Sequence, residues 1–83
     1  MEDLKIKYEY INFVEVGKKP KTTDYSCRSN RDSKELGFIM WYCPWRQYCF
    51  FPAKETIFNK GCLEDIQNFL EQLRDNRKDI SNV

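Results

Sequence analysis

The sequence predicts an α+β fold: an antiparallel sheet of about four strands with one C-terminal α-helix packed on one face. Three observations predict it. Residues 5–16 alternate apolar and polar side chains with a period of two, as a half-buried strand must. Residues 36–43, Leu-Gly-Phe-Ile-Met-Trp-Tyr-Cys, are apolar on both faces and read as a central strand. Leu63, Ile66, Leu70 and Leu73 recur at helical spacing, and Cys62 and Phe69 widen that stripe. At 83 residues the chain makes a single domain, 1–83, with an ordered core over about 4–76 and a fraying tail at 77–83.

In the first segment Ile6, Tyr8 and Tyr10 share one face, with Lys5, Lys7 and Glu9 on the other. The parity changes near Ile11, where Ile11, Phe13 and Glu15 compete with Val14 and Val16, so a bulge or break is expected there. Gly17 ends the run, and Lys18-Lys19-Pro20-Lys21 is a solvated connection. A weaker strand follows over 22–28, with Thr23, Tyr25 and Cys27 on one face. The short polar side chains from Ser29 to Glu35 hydrogen-bond their own backbone and make a turn. Pro44 stops the central strand because it cannot donate to a sheet ladder. Trp45 and Arg46 fill the next turn, and 47–51 return as the fourth strand. Asn59 is a good helix N-cap, Glu64 and Asp65 complement the positive end of the helix dipole, and Arg74, Arg77 and Lys78 the negative end. By alternation Phe38, Met40 and Tyr42 share one face of the central strand, and Ile39, Trp41 and Cys43 the other. Function is then expected on the sheet face the helix leaves open, where a second copy of the chain could also pack.

Composition limits the chemistry. Six Phe, five Tyr and two Trp supply a core large enough for a small domain without metal or disulfide. There is no histidine, so the commonest general base and any Ser-His or Cys-His pair are absent, and a non-enzymatic protein without cofactors is expected. Cys62, in the first helical turn, is the one conceivable nucleophile, and core packing accounts for it better. Cys27, Cys43, Cys49 and Cys62 contain no C-x-x-C pair and read as buried thiols rather than a zinc site, with a Cys43–Cys49 bridge as the alternative. The three glycines are too far apart for a phosphate loop. The charged N-terminus lacks the apolar stretch of a signal peptide, and no run is long enough to span a membrane, so a cytoplasmic location is expected. A net charge of +1 argues against a general nucleic-acid coat. The basic concentration lies between Gly17 and Lys34, where Lys18, Lys19, Lys21, Arg28, Arg31 and Lys34 face two acids.

The segment from Trp41 to Tyr48 holds the candidate contact residues: Trp41, Tyr42, Trp45, Arg46 and Tyr48. Trp, Tyr and Arg dominate interface hot spots because they bury large areas and keep a polar handle. Core packing is the competing explanation for Trp41, and a cation–π stack of Arg46 on Trp45 within the turn is another. The same residues could stack an unpaired base or hold a nucleotide, with lysines following the backbone.

The block Leu36-Gly37-Phe38-Ile39-Met40-Trp41-Tyr42-Cys43-Pro44-Trp45-Arg46-Gln47-Tyr48-Cys49-Phe50-Phe51-Pro52 resembles a group of small uncharacterised phage and prophage proteins. The resemblance continues through Thr56-Ile57-Phe58-Asn59 and Cys62-Leu63-Glu64-Asp65-Ile66, and so covers about half the chain. It transfers no activity. It implies an accessory protein that binds and inhibits a host protein, such as an antiviral-defence component in the manner of anti-CRISPR proteins. A nucleotide or single-stranded nucleic-acid binder and a self-assembling, homodimeric module are the alternatives.

Overall fold

The computed structural model describes residues 4–76. Strands β1 (Ile11–Lys18), β2 (Thr23–Ser29), β3 (Glu35–Tyr42) and β4 (Gln47–Pro52) form one antiparallel sheet in the order β1-β2-β3-β4. Helix α1 (Lys60–Asn76) follows. A meander of this kind needs only short connections, and each connection carries the turn chemistry its sequence offers. The expected α+β fold is the one observed. The tail at 77–83, including Arg77 and Lys78, lies outside the described residues.

The core forms where the inward side chains of three strands meet the helix. Ile11 and Phe13 of β1, Tyr25 and Cys27 of β2, Ile39 of β3, and Ile66, Phe69 and Leu73 of α1 are buried. The Phe69 ring stacks on Phe13 at 4.0 Å between centroids and meets the edge of Tyr25 at 5.0 Å. One helical side chain thus joins β1 and β2, in the offset and edge geometries aromatic quadrupoles favour. The helix begins as expected: the Cys62 amide donates to Asn59 Oδ1 at 2.7 Å.

Several sequence expectations are corrected. The first strand begins at Ile11, and residues 5–10 are a reversal laid against it. The Tyr8 amide donates to the Ile11 carbonyl and the Phe13 amide to the Ile6 carbonyl. Ile6 and Tyr10 are therefore exposed, and only Tyr8 of that alternating set packs on the core. The break expected near Ile11 is this reversal, while the register shift within β1 lies further on, between Glu15 and Gly17. Leu63, placed in the buried stripe, is 54% exposed, because it sits on the first turn of a helix that buries Ile66, Phe69 and Leu73. Glu64 and Asp65 fall beyond the first turn, where the dipole field has faded. Glu64 instead accepts from Lys60 Nζ at 2.6 Å. All four cysteines are free thiols: Cys27 is buried, Cys49 and Cys62 are half-buried, and Cys43 is exposed. Burial, with smaller contributions from nearby Cys62 and Asp65, pushes the Cys27 thiol up to about 12.

Candidate functional site

The aromatic segment is built by a hairpin whose ends are set by local chemistry. Pro44 lies in a single 3₁₀ turn, Cys43–Trp45. Arg46 closes it in the left-handed conformation (φ 54°), its amide donating to the Tyr42 and Cys43 carbonyls. The chain then runs back as β4, pairing Trp41 with Tyr48 and Ile39 with Phe50. Alternation puts Trp41, Tyr48 and Phe50 on the helix side of the sheet, with Ile39. Tyr42 faces the other way, packing edge-on against Trp45 at 5.1 Å and Phe51 at 6.1 Å.

Helix α1 passes over this end of the sheet without closing on it. The gap is a cleft of about 460 Å³ lined by Trp41, Trp45, Arg46, Tyr48 and Phe50 on one wall and Gln67, Leu70, Glu71 and Arg74 on the other. Trp41 meets Tyr48 edge-on at 5.4 Å. The Tyr48 hydroxyl reaches across β3 to accept from the Thr23 amide at 3.0 Å, which fixes the ring as the cleft floor. Trp45, at 66% exposed, stands at the rim.

Four of the five aromatic-segment candidates, Trp41, Trp45, Arg46 and Tyr48, therefore come together, and Tyr42 lies on the open sheet face. This places the cleft on the helix side rather than on the uncovered face where function was expected. Trp41 is half-buried, serving as both packing and lining. Trp45 takes its ring contact from Tyr42.

The basic candidates are divided by the meander. Lys18, expected in the connection, is the last residue of β1 and pairs with Thr23, while Lys19 and Lys21 belong to the β1–β2 connection; all three lie at the same end of the sheet as Trp45 and Arg46. Lys19 pairs with Asp24 at 3.4 Å. Arg31 and Lys34 lie in the β2–β3 turn at the opposite end, beside a shallow depression of about 230 Å³ shared with Glu55 and Ile57. Arg28, near that end of β2, donates from Nε to Ser26 Oγ at 3.2 Å. What reads as one basic stretch in the sequence is two separate groups on the molecule.

The helix wall of the cleft escaped the sequence reading. Gln67, Leu70, Glu71 and Arg74 share one helix face at spacings of three and four residues, a signal present in the sequence but distant from the aromatic block.

Fold and cleft together define a small α+β domain with an aromatic, arginine-flanked groove between its helix and its last strand. No family model and no solved structure matches the chain. It is 36% identical over 73 residues to the "Uncharacterized 9.3 kDa protein" of Acholeplasma phage L2, a match covering 84% of this chain and 91% of the phage protein. The chain belongs to the family of that phage protein. No helix among the described residues is long and apolar enough to cross a membrane.

Proposed function

We propose that this is a phage accessory protein that binds a host protein, acts by blocking it, and carries out no chemistry of its own. The observation that carries the reading is the cleft, where Trp41, Trp45 and Tyr48 stand with Arg46 and Arg74 around an apolar floor. Residues of these types anchor protein interfaces because each buries a large area at modest entropic cost. A host antiviral-defence component, met in the host cytoplasm, is the partner class that phage kinship favours. The absence of histidine from the sequence and the elevated Cys27 thiol support a role without catalysis.

Affinity capture from host-cell lysate, with and without nuclease, tests this. A nuclease-resistant protein retained by the wild type and lost by Trp45→Ala/Arg46→Ala is the expected result. Equal retention by both would remove the cleft from the account, and substrate turnover by purified protein would remove the non-enzymatic role.

A second reading, a nucleotide or single-stranded nucleic-acid binder, draws on Lys18 at the end of β1 and Lys19 and Lys21 of the β1–β2 connection, at the same end of the sheet as Trp45. It predicts quenching of tryptophan fluorescence by an oligonucleotide, with affinity falling steeply as salt rises. A flat titration at low salt eliminates it.

A further inference from the structure

We propose that the partner is held as an extended segment added to the sheet along the outer edge of β4, which no described residue pairs with, its inward side chains entering the cleft. This deepens, and rests on, the reading of the cleft as the binding surface.

The two edges of the sheet are treated differently. On the β1 side the chain fills the space between edge strand and helix with its own residues 4–10. That segment bonds to the outward groups of β1, with Phe13 N to Ile6 O at 2.8 Å and Tyr8 N to Ile11 O at 2.9 Å. It also bonds to the helix: the Lys5 amide donates to Gln72 Oε1 at 2.8 Å, Gln72 Nε2 to the Lys5 carbonyl at 3.0 Å, and the Tyr8 hydroxyl to Asn68 Oδ1 at 2.7 Å. Leu4 and Tyr8 point inward onto the core.

On the β4 side the equivalent space is the cleft. The Ala53 amide donates to the Leu36 carbonyl at 2.9 Å. Alternation along an antiparallel pair then turns Cys49 and Phe51 toward β3, and turns the amides and carbonyls of Tyr48 and Phe50 outward. Pro52, which has no N–H, falls at an outward position, as prolines in edge strands do. Between Gln47 and Phe51 the edge has no lysine, proline or bulge, the devices that normally block pairing with another chain. An extended segment here would gain backbone hydrogen bonds from Tyr48 and Phe50, while alternate side chains reach the apolar lining of Trp41, Phe50 and Leu70.

Charge selects the occupant. Arg46 and Arg74 flank the cleft against the single acid Glu71, and Arg74 is already shared with Asp75 at 3.5 Å. The segment is therefore a stretch of host protein with apolar residues at alternate positions and an Asp or Glu at the end meeting Arg46.

The test screens a displayed library of random short peptides against the protein, then measures amide hydrogen exchange with a selected peptide bound. Selected peptides should alternate apolar residues and carry an acid. Bound peptide should slow exchange at the Tyr48 and Phe50 amides by at least about tenfold, and leave the already bonded Phe13 amide unchanged. Affinity should be lost in Trp45→Ala/Arg46→Ala. Peptides that bind and are lost in the double variant, yet leave Tyr48 and Phe50 exchanging freely, overturn strand addition and leave the cleft reading standing. Binding that persists in the double variant overturns the cleft reading itself. A screen that selects no peptide overturns strand addition. So does protection already present in the free protein, which would mean that the edge is filled by this chain or a second copy.

Discussion

At the scale of single residues, burial and unmet hydrogen bonds make the sharpest predictions. Cys27 lies in the core with its thiol raised to about 12, whereas Cys43 stands exposed on the hairpin. A thiol reagent should modify Cys43 in the native protein and leave Cys27 untouched until unfolding; rapid modification of Cys27 would show the core to be open. The sign of the shift also sets an alkaline dependence. The unfolded chain ionises this thiol first, so the stabilising contribution is complete below the ordinary thiol range and is lost as pH rises toward about 12. Tyr8 and Tyr25, raised by burial, act in the same direction. Asp65 shows the same logic in the acid range. Its Oδ2 is buried with no hydrogen-bond partner among the described residues, and desolvation lifts its carboxyl above the usual range, against the pull of Lys5 and with the push of Glu9 and Glu64. The folded protein favours the protonated form, so ionisation weakens the fold as pH rises through the carboxylate range. Asp65→Asn should raise the melting temperature at neutral pH and leave it nearly unchanged in acid, as scanning calorimetry at both pH values will show. A lower melting temperature at neutral pH would contradict this.

At the scale of elements, the central strand explains a glycine that alternation does not. A Cβ on Gly37 would come within 2.6 Å of the Phe51 carbonyl and 2.7 Å of the Phe50 ring. The backbone oxygen cannot step aside without moving β4, so Gly37→Ala should cost about 1–3 kcal/mol in urea unfolding. A variant as stable as the wild type would show that β4 gives way freely. For the helix, Phe69 is the equivalent point, stacked between β1 and β2. Phe69→Ala should cost about 3–5 kcal/mol, much of the roughly 4–12 kcal/mol available to a domain of this size. Calorimetry giving a small loss would place the core elsewhere. Elements were legible in the sequence wherever one face was buried along its length: β3 by its apolar run, α1 by its stripe and its Asn59 cap. Residues 5–10 were not, although they alternate well. Their course is decided by Asn30, whose side-chain amide donates to the Tyr8 and Glu9 carbonyls, and by Asn68 and Gln72. Those partners lie 21 to 67 positions away, where no local pattern reaches.

At the scale of the whole molecule, the helix rests against the sheet between one edge that residues 4–10 fill and one that no other described residue pairs with. The aromatic half of the cleft was legible because Trp41, Trp45, Arg46 and Tyr48 crowd into one hairpin. The helical half was not, since nothing in Gln67, Leu70, Glu71 and Arg74 says which strand they will face. The cleft is the proposed surface for engaging a partner, and one variant tests that without disturbing the fold. Arg46 holds a left-handed conformation, which costs an ordinary residue roughly 1–2 kcal/mol. Glycine takes that conformation freely and gives back about 0.5–1 kcal/mol in unfolded-state entropy. Arg46→Gly should therefore be at least as stable as the wild type while lacking the guanidinium at the rim. The decisive measurement is affinity capture of host protein on immobilised wild type and Arg46→Gly, with melting temperatures taken on the same preparations. Loss of a nuclease-resistant partner from a variant that melts no lower than the wild type is the predicted result. Undiminished capture of that partner by the variant would contradict the proposal.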